Sequence, residues 1–137
     1  MTEVDRDTAR AFQTRMVKLM NDSSLGLLLG IGDELGLFDT LARVGPADTT
    51  TLAEAAQVNE RYLREWLDGV VAGDVATYDP ASGHYALPPE RALCLTSADS
   101  PVNLARNLKL LTMLAGVTPT LQEKFRNGGG LPYESFP

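Results

Sequence analysis

Residues able to do chemistry are few in this 137-residue chain, and spacing tests each of them. Gly30-Ile31-Gly32-Asp33-Glu34-Leu35-Gly36, preceded by Leu27-Leu28-Leu29, imitates a strand feeding a glycine loop that cradles phosphate. That chemistry needs a strand before the glycines, a helix after them, and an acidic ribose ligand about 20 residues on. Here leucines rather than β-branched residues lead in, and Gly45-Pro46 interrupts the region where a second strand should lie. The glycines are therefore read as sites of close helix–helix approach, with Gly36 as a helix stop. His84 is the single histidine and Cys94 the single cysteine, so neither a metal-ligand set nor a nucleophile–base pair can be assembled. No catalytic residue, cofactor-binding residue or metal ligand is assigned. Cys94 lies in the apolar run Ala92-Leu93-Cys94-Leu95 and is expected to be a small buried hydrophobe. Asp33-Glu34 and Glu60/Glu65/Asp68 are read as solvated helix faces.

Arg61 and Arg64 are the residues a DNA-reading helix would use, but their neighbours oppose it. Residues 59–74 set these two arginines against Glu60, Glu65, Asp68 and Asp74, and Asp79 to His84 contain no Lys or Arg. The whole chain has 12 Lys and Arg against 18 Asp and Glu, a net charge of −6. Residues 19–98 concentrate the imbalance, with 12 acids and 4 bases, while each flank has 3 acids and 4 bases. A phosphate backbone needs a basic footprint, which the middle of this chain lacks. Nucleic acid is not an expected partner. The lone cysteine and the charged start, Met1-Thr2-Glu3-Val4-Asp5-Arg6-Asp7, predict a cytoplasmic protein without a signal peptide. The apolar stretch Leu25–Ile31 is too short to span a bilayer.

Elements follow from periodicity. Ala9, Phe12, Met16 and Leu19/Met20 mark an amphipathic helix ending near Asn21-Asp22-Ser23. A second helix, about Ser24 to Leu37, is apolar nearly all round and should be buried on every face. Phe38 to Val44 forms a third, stopped by Gly45-Pro46. Thr51 and Glu54 have capping-box spacing for a short helix, and Asn59 is the N-cap of the next, Glu60 to Val71. The pair makes a helix-turn-helix outline. Val75–Tyr78 and Tyr85–Leu87, joined by Asp79-Pro80-Ala81-Ser82-Gly83, predict a β-hairpin. A helix over Glu90–Leu95 starts at Pro88-Pro89, a long helix runs from about Pro101 to Gly116, and another from Pro119 to about Arg126.

The expected fold is mainly α: winged-helix-like, a helix-turn-helix plus β-hairpin, with additional long helices before and after. Residues 1–127 form one domain, and 128–137, opened by Gly128-Gly129-Gly130, form a hinge or linker. The surplus of apolar helices at 24–37 and 101–126 suggests a partner surface.

Four segments also carry a family resemblance. They are Gly32-Asp33-Glu34-Leu35-Gly36-Leu37-Phe38-Asp39-Thr40-Leu41, Asn59-Glu60-Arg61-Tyr62-Leu63-Arg64-Glu65-Trp66-Leu67, the hairpin from Tyr78 to Glu90, and Gly128-Gly129-Gly130-Leu131-Pro132-Tyr133. In this order the chain resembles the N-terminal winged-helix region of bacterial class I S-adenosylmethionine-dependent methyltransferases, a group sometimes labelled transcriptional regulators. The resemblance implies a homodimerising, substrate-covering module packed against a C-terminal Rossmann-like methyltransferase domain. It implies S-adenosylmethionine as the cofactor of that parent, with the cofactor loop and any catalytic base beyond Pro137. Under it, Met113, Tyr133 and Phe136 are the residues expected near substrate; packing at a domain interface is the plainer role for the same three. The alternative reading is a winged-helix DNA-binding regulator acting through Arg61 and Arg64. A third is a free-standing interaction protein with no enzymatic parent.

Overall fold

The computed structural model describes residues 4–96 and 103–136. Helix α1 (Arg6–Glu34) is continuous over 29 residues, about 44 Å at the α-helical rise. Asp5 caps it, accepting from the amides of Asp7 and Thr8 at 3.0 and 3.2 Å. The hydroxyl of Thr8, followed by these amides, holds the Asp5 carboxyl below its ordinary pKa. The break expected at Asn21-Asp22-Ser23 does not occur. Ser23 and Ser24 donate back to the carbonyls of Leu19 and Met20 at 2.7 and 3.0 Å, and Lys18 pairs with Asp22 at 2.6 Å. Asp22, Ser23 and Ser24 are thus satisfied on the helix itself rather than competing with it.

The segment after Ser24 is not buried all round either. Leu27, Ile31 and Leu35 are exposed, Leu25, Leu28 and Leu29 pack against the core, and the fully buried positions are Gly26, Gly30 and Gly32. The sequence reading of these glycines holds. A Cβ on Gly32 would lie 2.6 Å from both the Phe38 and Trp66 rings, and one on Gly26 would lie 2.9 Å from Leu111. Beyond the helix end, Gly36 takes the left-handed φ of 64° that turns the chain into α2 (Leu37–Val44).

Helix α3 (Thr49–Ala56) starts earlier than the expected capping box. Asp48 is the N-cap, its Oδ1 accepting from the Thr51 amide at 2.8 Å, so Thr51 already lies inside the helix. Asn59 caps α4 (Glu60–Ala72) as expected. This helix buries Leu63, Trp66, Leu67 and Val70 against Phe38, Leu41 and Leu52. The Phe38 and Trp66 rings meet edge to face at 5.2 Å, and Trp66 Nε1 donates to the Leu28 carbonyl at 2.8 Å, tying α4 to α1.

The wing is β1 (Thr77–Asp79) antiparallel to β2 (His84–Ala86), with Tyr78 opposite Tyr85. It begins later than expected because Val75 and Ala76 instead donate to the Val70 carbonyl at the end of α4. Ala47 adds a reciprocal pair of backbone bonds with Tyr85, at 3.1 and 2.9 Å, fixing the wing to the α2–α3 connection.

Helix α5 (Pro89–Leu95) turns Ala92 inward and leaves Leu93 and Cys94 outside. Cys94 is therefore exposed, correcting the expectation of a buried thiol: in so short a helix only one face meets the core. Of the long helix expected from Pro101, residues 101 and 102 lie outside the described residues. The remainder divides into α6 (Leu104–Asn107) and α7 (Lys109–Asn127). The division at Leu108 is a tight turn, in which Leu108 donates to Ala105 and Leu111 to Leu108. Helix α7 then runs through Pro119 instead of restarting there, and on the turn before it Thr118 donates its hydroxyl to the Leu114 carbonyl at 3.1 Å.

Because the space at Gly32 is closed by two aromatic rings, Gly32→Ala should cost about 2 kcal/mol or more of overpacking. Gly116→Ala, facing open space within α7, should be neutral or gain up to about 1 kcal/mol. Urea unfolding of the two variants checks the contrast; equal effects would contradict the close-approach account.

Candidate functional site

Three regions could carry function: the helix-turn-helix face, the uncovered apolar helix surfaces, and a cleft where α1 meets α6 and α7. On the first, Arg64 is paired on its own helix, with its side chain more than half exposed. Its Nη2 donates to Glu60 Oε1 at 2.8 Å, and the Thr49 hydroxyl donates to the same oxygen at 2.9 Å. These partners, the Thr49 hydroxyl first, hold the Glu60 carboxyl below its ordinary pKa, so it stays charged beside the arginine. Arg61 is exposed, but so are Glu65 and Asp68 on the same helix.

Asp68 has a structural role as well. It accepts from the buried Tyr85 hydroxyl at 2.7 Å, locking the wing to α4. Burial, and then this bond, push the Tyr85 phenol up to about 12. At the wing tip, Asp79 accepts from the Ala81 amide and the Ser82 hydroxyl, at 3.0 and 2.6 Å. Ser82 is the main reason its carboxyl lies below the ordinary value. A duplex approaching this face would meet anions where it needs cations.

The second region lies mainly on α1. Residues 4–24 are exposed apart from the half-buried Met16, and they include Phe12, Val17, Leu19 and Met20. Helix α7 adds Leu110, Leu114, Leu121 and Phe125, the last 84% exposed. The helical spacing of Leu110, Leu114, Val117, Leu121 and Phe125 predicts a buried stripe, but of these five only Val117 is fully buried.

The third region is a cleft of about 710 Å³ lined by Glu34, Arg106, Lys109, Leu110, Thr112 and Met113, among others. Asp33 lies behind it, its side chain only 7% exposed, accepting from Asn103 Nδ2 at 2.6 Å and facing Arg106 Nε at 3.7 Å. Glu34 pairs with Lys109 at 3.0 Å.

Of the residues expected near substrate, the structure places Met113 in this cleft. Tyr133 is 91% exposed on a 3-10 turn (Tyr133–Ser135), and Phe136 follows it half-buried; neither lines the cleft. Sequence reasoning missed Arg106 and Lys109. Their three-residue spacing was a usable signal, but the acids that orient them, Asp33 and Glu34, read as ordinary surface. Among the described residues no three His, Cys, Asp or Glu side chains converge on a possible metal site, and no helix is long and apolar enough to cross a membrane.

Against this geometry, the family model described as the Rv2258c-like winged HTH domain matches residues 23–97, from the anchored half of α1 through α5. The chain belongs to this winged-helix family. Solved structures extend the likeness beyond the matched segment. Human N-acetylserotonin methyltransferase, in complex with S-adenosylmethionine, superposes with a TM-score of 0.71 at 22% identity, over 98% of this chain and 39% of its own. The mitomycin 7-O-methyltransferase MmcR gives 0.68 at 25% identity, over 90% and 37%. CalO1, a methyltransferase of calicheamicin biosynthesis with S-adenosylhomocysteine bound, gives 0.63 at 22%, over 90% and 35%. No curated protein sequence matches the chain. The winged-helix chain thus has the fold of one region of these methyltransferases, and it spans well under half the length of each.

Two expectations follow for this face. Folded protein keeps the Tyr85 proton to about pH 12 and unfolded protein releases it near 10, so the native state binds more protons in that window. Its stabilising contribution is complete below pH 10 and is lost as pH rises to 12. Relative to Tyr85→Phe, the wild type should lose on the order of 2 kcal/mol across this range in urea titrations. Duplex DNA should give no mobility shift at low salt, and the double variant Arg61→Ala/Arg64→Ala should leave that result unchanged; a salt-sensitive shift abolished by the variant would restore the DNA reading.

Proposed function

We propose that the chain is the dimerisation and substrate-lid module of an S-adenosylmethionine-dependent small-molecule methyltransferase. In this reading, residues 1–127 form the module and 128–137 the hinge toward a C-terminal Rossmann-like domain that binds the cofactor in a cytoplasmic homodimer. The observation that carries the proposal is the division of the surface. The buried side chains of the helix-turn-helix form the core and its Arg64 is paired with Glu60, whereas α1 and α7 display many large exposed apolar side chains. Large apolar side chains exposed along two helices support an interaction site. The methyltransferases sharing the fold support the activity class, since two of those compared hold S-adenosylmethionine or its demethylated product.

The one glycine segment that imitates a cofactor loop is not one. Gly30-Ile31-Gly32 lies inside α1, and Gly32 is sealed by Phe38 and Trp66. No step of methyl transfer is therefore assigned to this chain; its part is to assemble the parent and to cover the acceptor, excluding water from the transfer. Met113 contributes to the cover from the cleft, and Tyr133 and Phe136 from the hinge.

Sedimentation equilibrium should show a dimer. Phe12→Glu and Met20→Glu, both at exposed positions, should weaken it at least tenfold with little change in monomer stability. Calorimetry should show no tight binding of S-adenosylmethionine to the isolated chain. A wild type that stays monomeric at high concentration would remove the dimer, and tight cofactor binding would remove the module reading.

A further inference from the structure

The cleft between the end of α1 and the α6–α7 turn has a charge pattern that a cover made only of apolar side chains would not need. Leu110 and Met113 supply apolar lining, and the methionine thioether adapts readily to flat rings. Arg106 and Lys109, three residues apart across the Leu108 turn, bring two cations to the same opening. This occurs in an acidic chain, within one of the two stretches where bases outnumber acids.

The carboxylates facing these cations differ in what they can give up. Asp33 is nearly buried, held by Asn103 at 2.6 Å, and keeps Arg106 in place from behind. Glu34 is about half-exposed, as is Lys109, and their 3.0 Å contact is a surface pair of the weak kind. An ammonium has three donors, so Lys109 can hold Glu34 and still turn a proton toward the cleft, or exchange Glu34 for a better acceptor. An incoming carboxylate meets two cations, Arg106 and Lys109, against one lining carboxylate, Glu34, whereas an amine meets the same two as like charges.

We propose that this cleft reads an anionic group on the methyl acceptor, so that the module selects apolar molecules carrying a carboxylate. The proposal rests on the methyltransferase-module reading for the word acceptor, but the binding itself is a property of this chain. Lys109 is the specificity-determining residue, and Arg106 supports it.

The test is amide chemical-shift mapping of the full chain with 1-naphthoate, its neutral analogue 1-naphthalenemethanol, and the cation 1-naphthylmethylammonium. Naphthoate should move amides of residues 106–113 and bind at least tenfold more tightly than the alcohol. Lys109→Gln and Arg106→Gln should reduce that preference to threefold or less while weak alcohol binding persists, and Lys124→Gln should retain it. Both altered side chains are substantially exposed, and preserved spectral dispersion will verify folding. Equal binding of acid and alcohol, preference for the ammonium, shifts centred elsewhere, no binding, or a preference that survives both variants would each overturn the proposal. A chain that binds S-adenosylmethionine tightly and still prefers naphthoate would sink the module reading alone; a chain without the preference that does not bind the cofactor would sink the cleft alone.

Discussion

Trp66 joins α4 to α1 through two contacts of different character, and most of the architecture follows from holding both at once. Its indole N–H donates to the Leu28 carbonyl, while its ring lies against Phe38 and the bare backbone of Gly32. The hydrogen bond sets the height of α4 along α1, and the absent Cβ sets how near the ring can come. A buried indole without an acceptor would carry an unpaired donor, and any side chain at position 32 would push the helices apart. Once α1 and α4 are locked, Gly36 can reverse the chain only into α2, whose Phe38 closes the third side.

That arrangement explains why a fold associated with nucleic-acid reading need not perform it. Here α4 is a structural strut. Its inward face is core, and two of its three acids have internal duties: Glu60 holds Arg64 and Thr49, and Asp68 holds the wing through Tyr85. The charge that would repel a phosphate backbone is the charge that fixes the local geometry. Apolar surface is displaced instead to α1 and α7, the helices outside the helix-turn-helix.

The sequence made the short-range features legible. Asn59 as an N-cap, the hairpin turn, the Pro88-Pro89 helix start and the stop at Gly36 each depend on a few adjacent residues, and each appears as read. Features decided by tertiary partners were not legible. The polar run Asn21-Asp22-Ser23 resembles a break only if its side chains compete with the backbone, and whether they do depends on bonds back to Leu19 and Met20. Cys94 lies in an apolar run, yet α5 turns that position outward. In the cleft, Met113 was within reach because it lies next to the apolar positions Leu110 and Leu114. Arg106 and Lys109 offered only their spacing, because the acids that orient them, Asp33 and Glu34, lie about seventy residues earlier in the chain.

The continuity of α1 has a consequence for how its exposed half stays ordered. Starting a helix in water is costly, while extending one is nearly neutral. Here the packed half, from Leu25 onward, serves as a permanent nucleus, and the outer half needs only propagation. It should fray from Asp5 inward, turn by turn, rather than melt as a unit. Its apolar residues are thus presented on a preformed ruler, so a partner that binds them meets much of the ordering entropy already spent by the fold of the core.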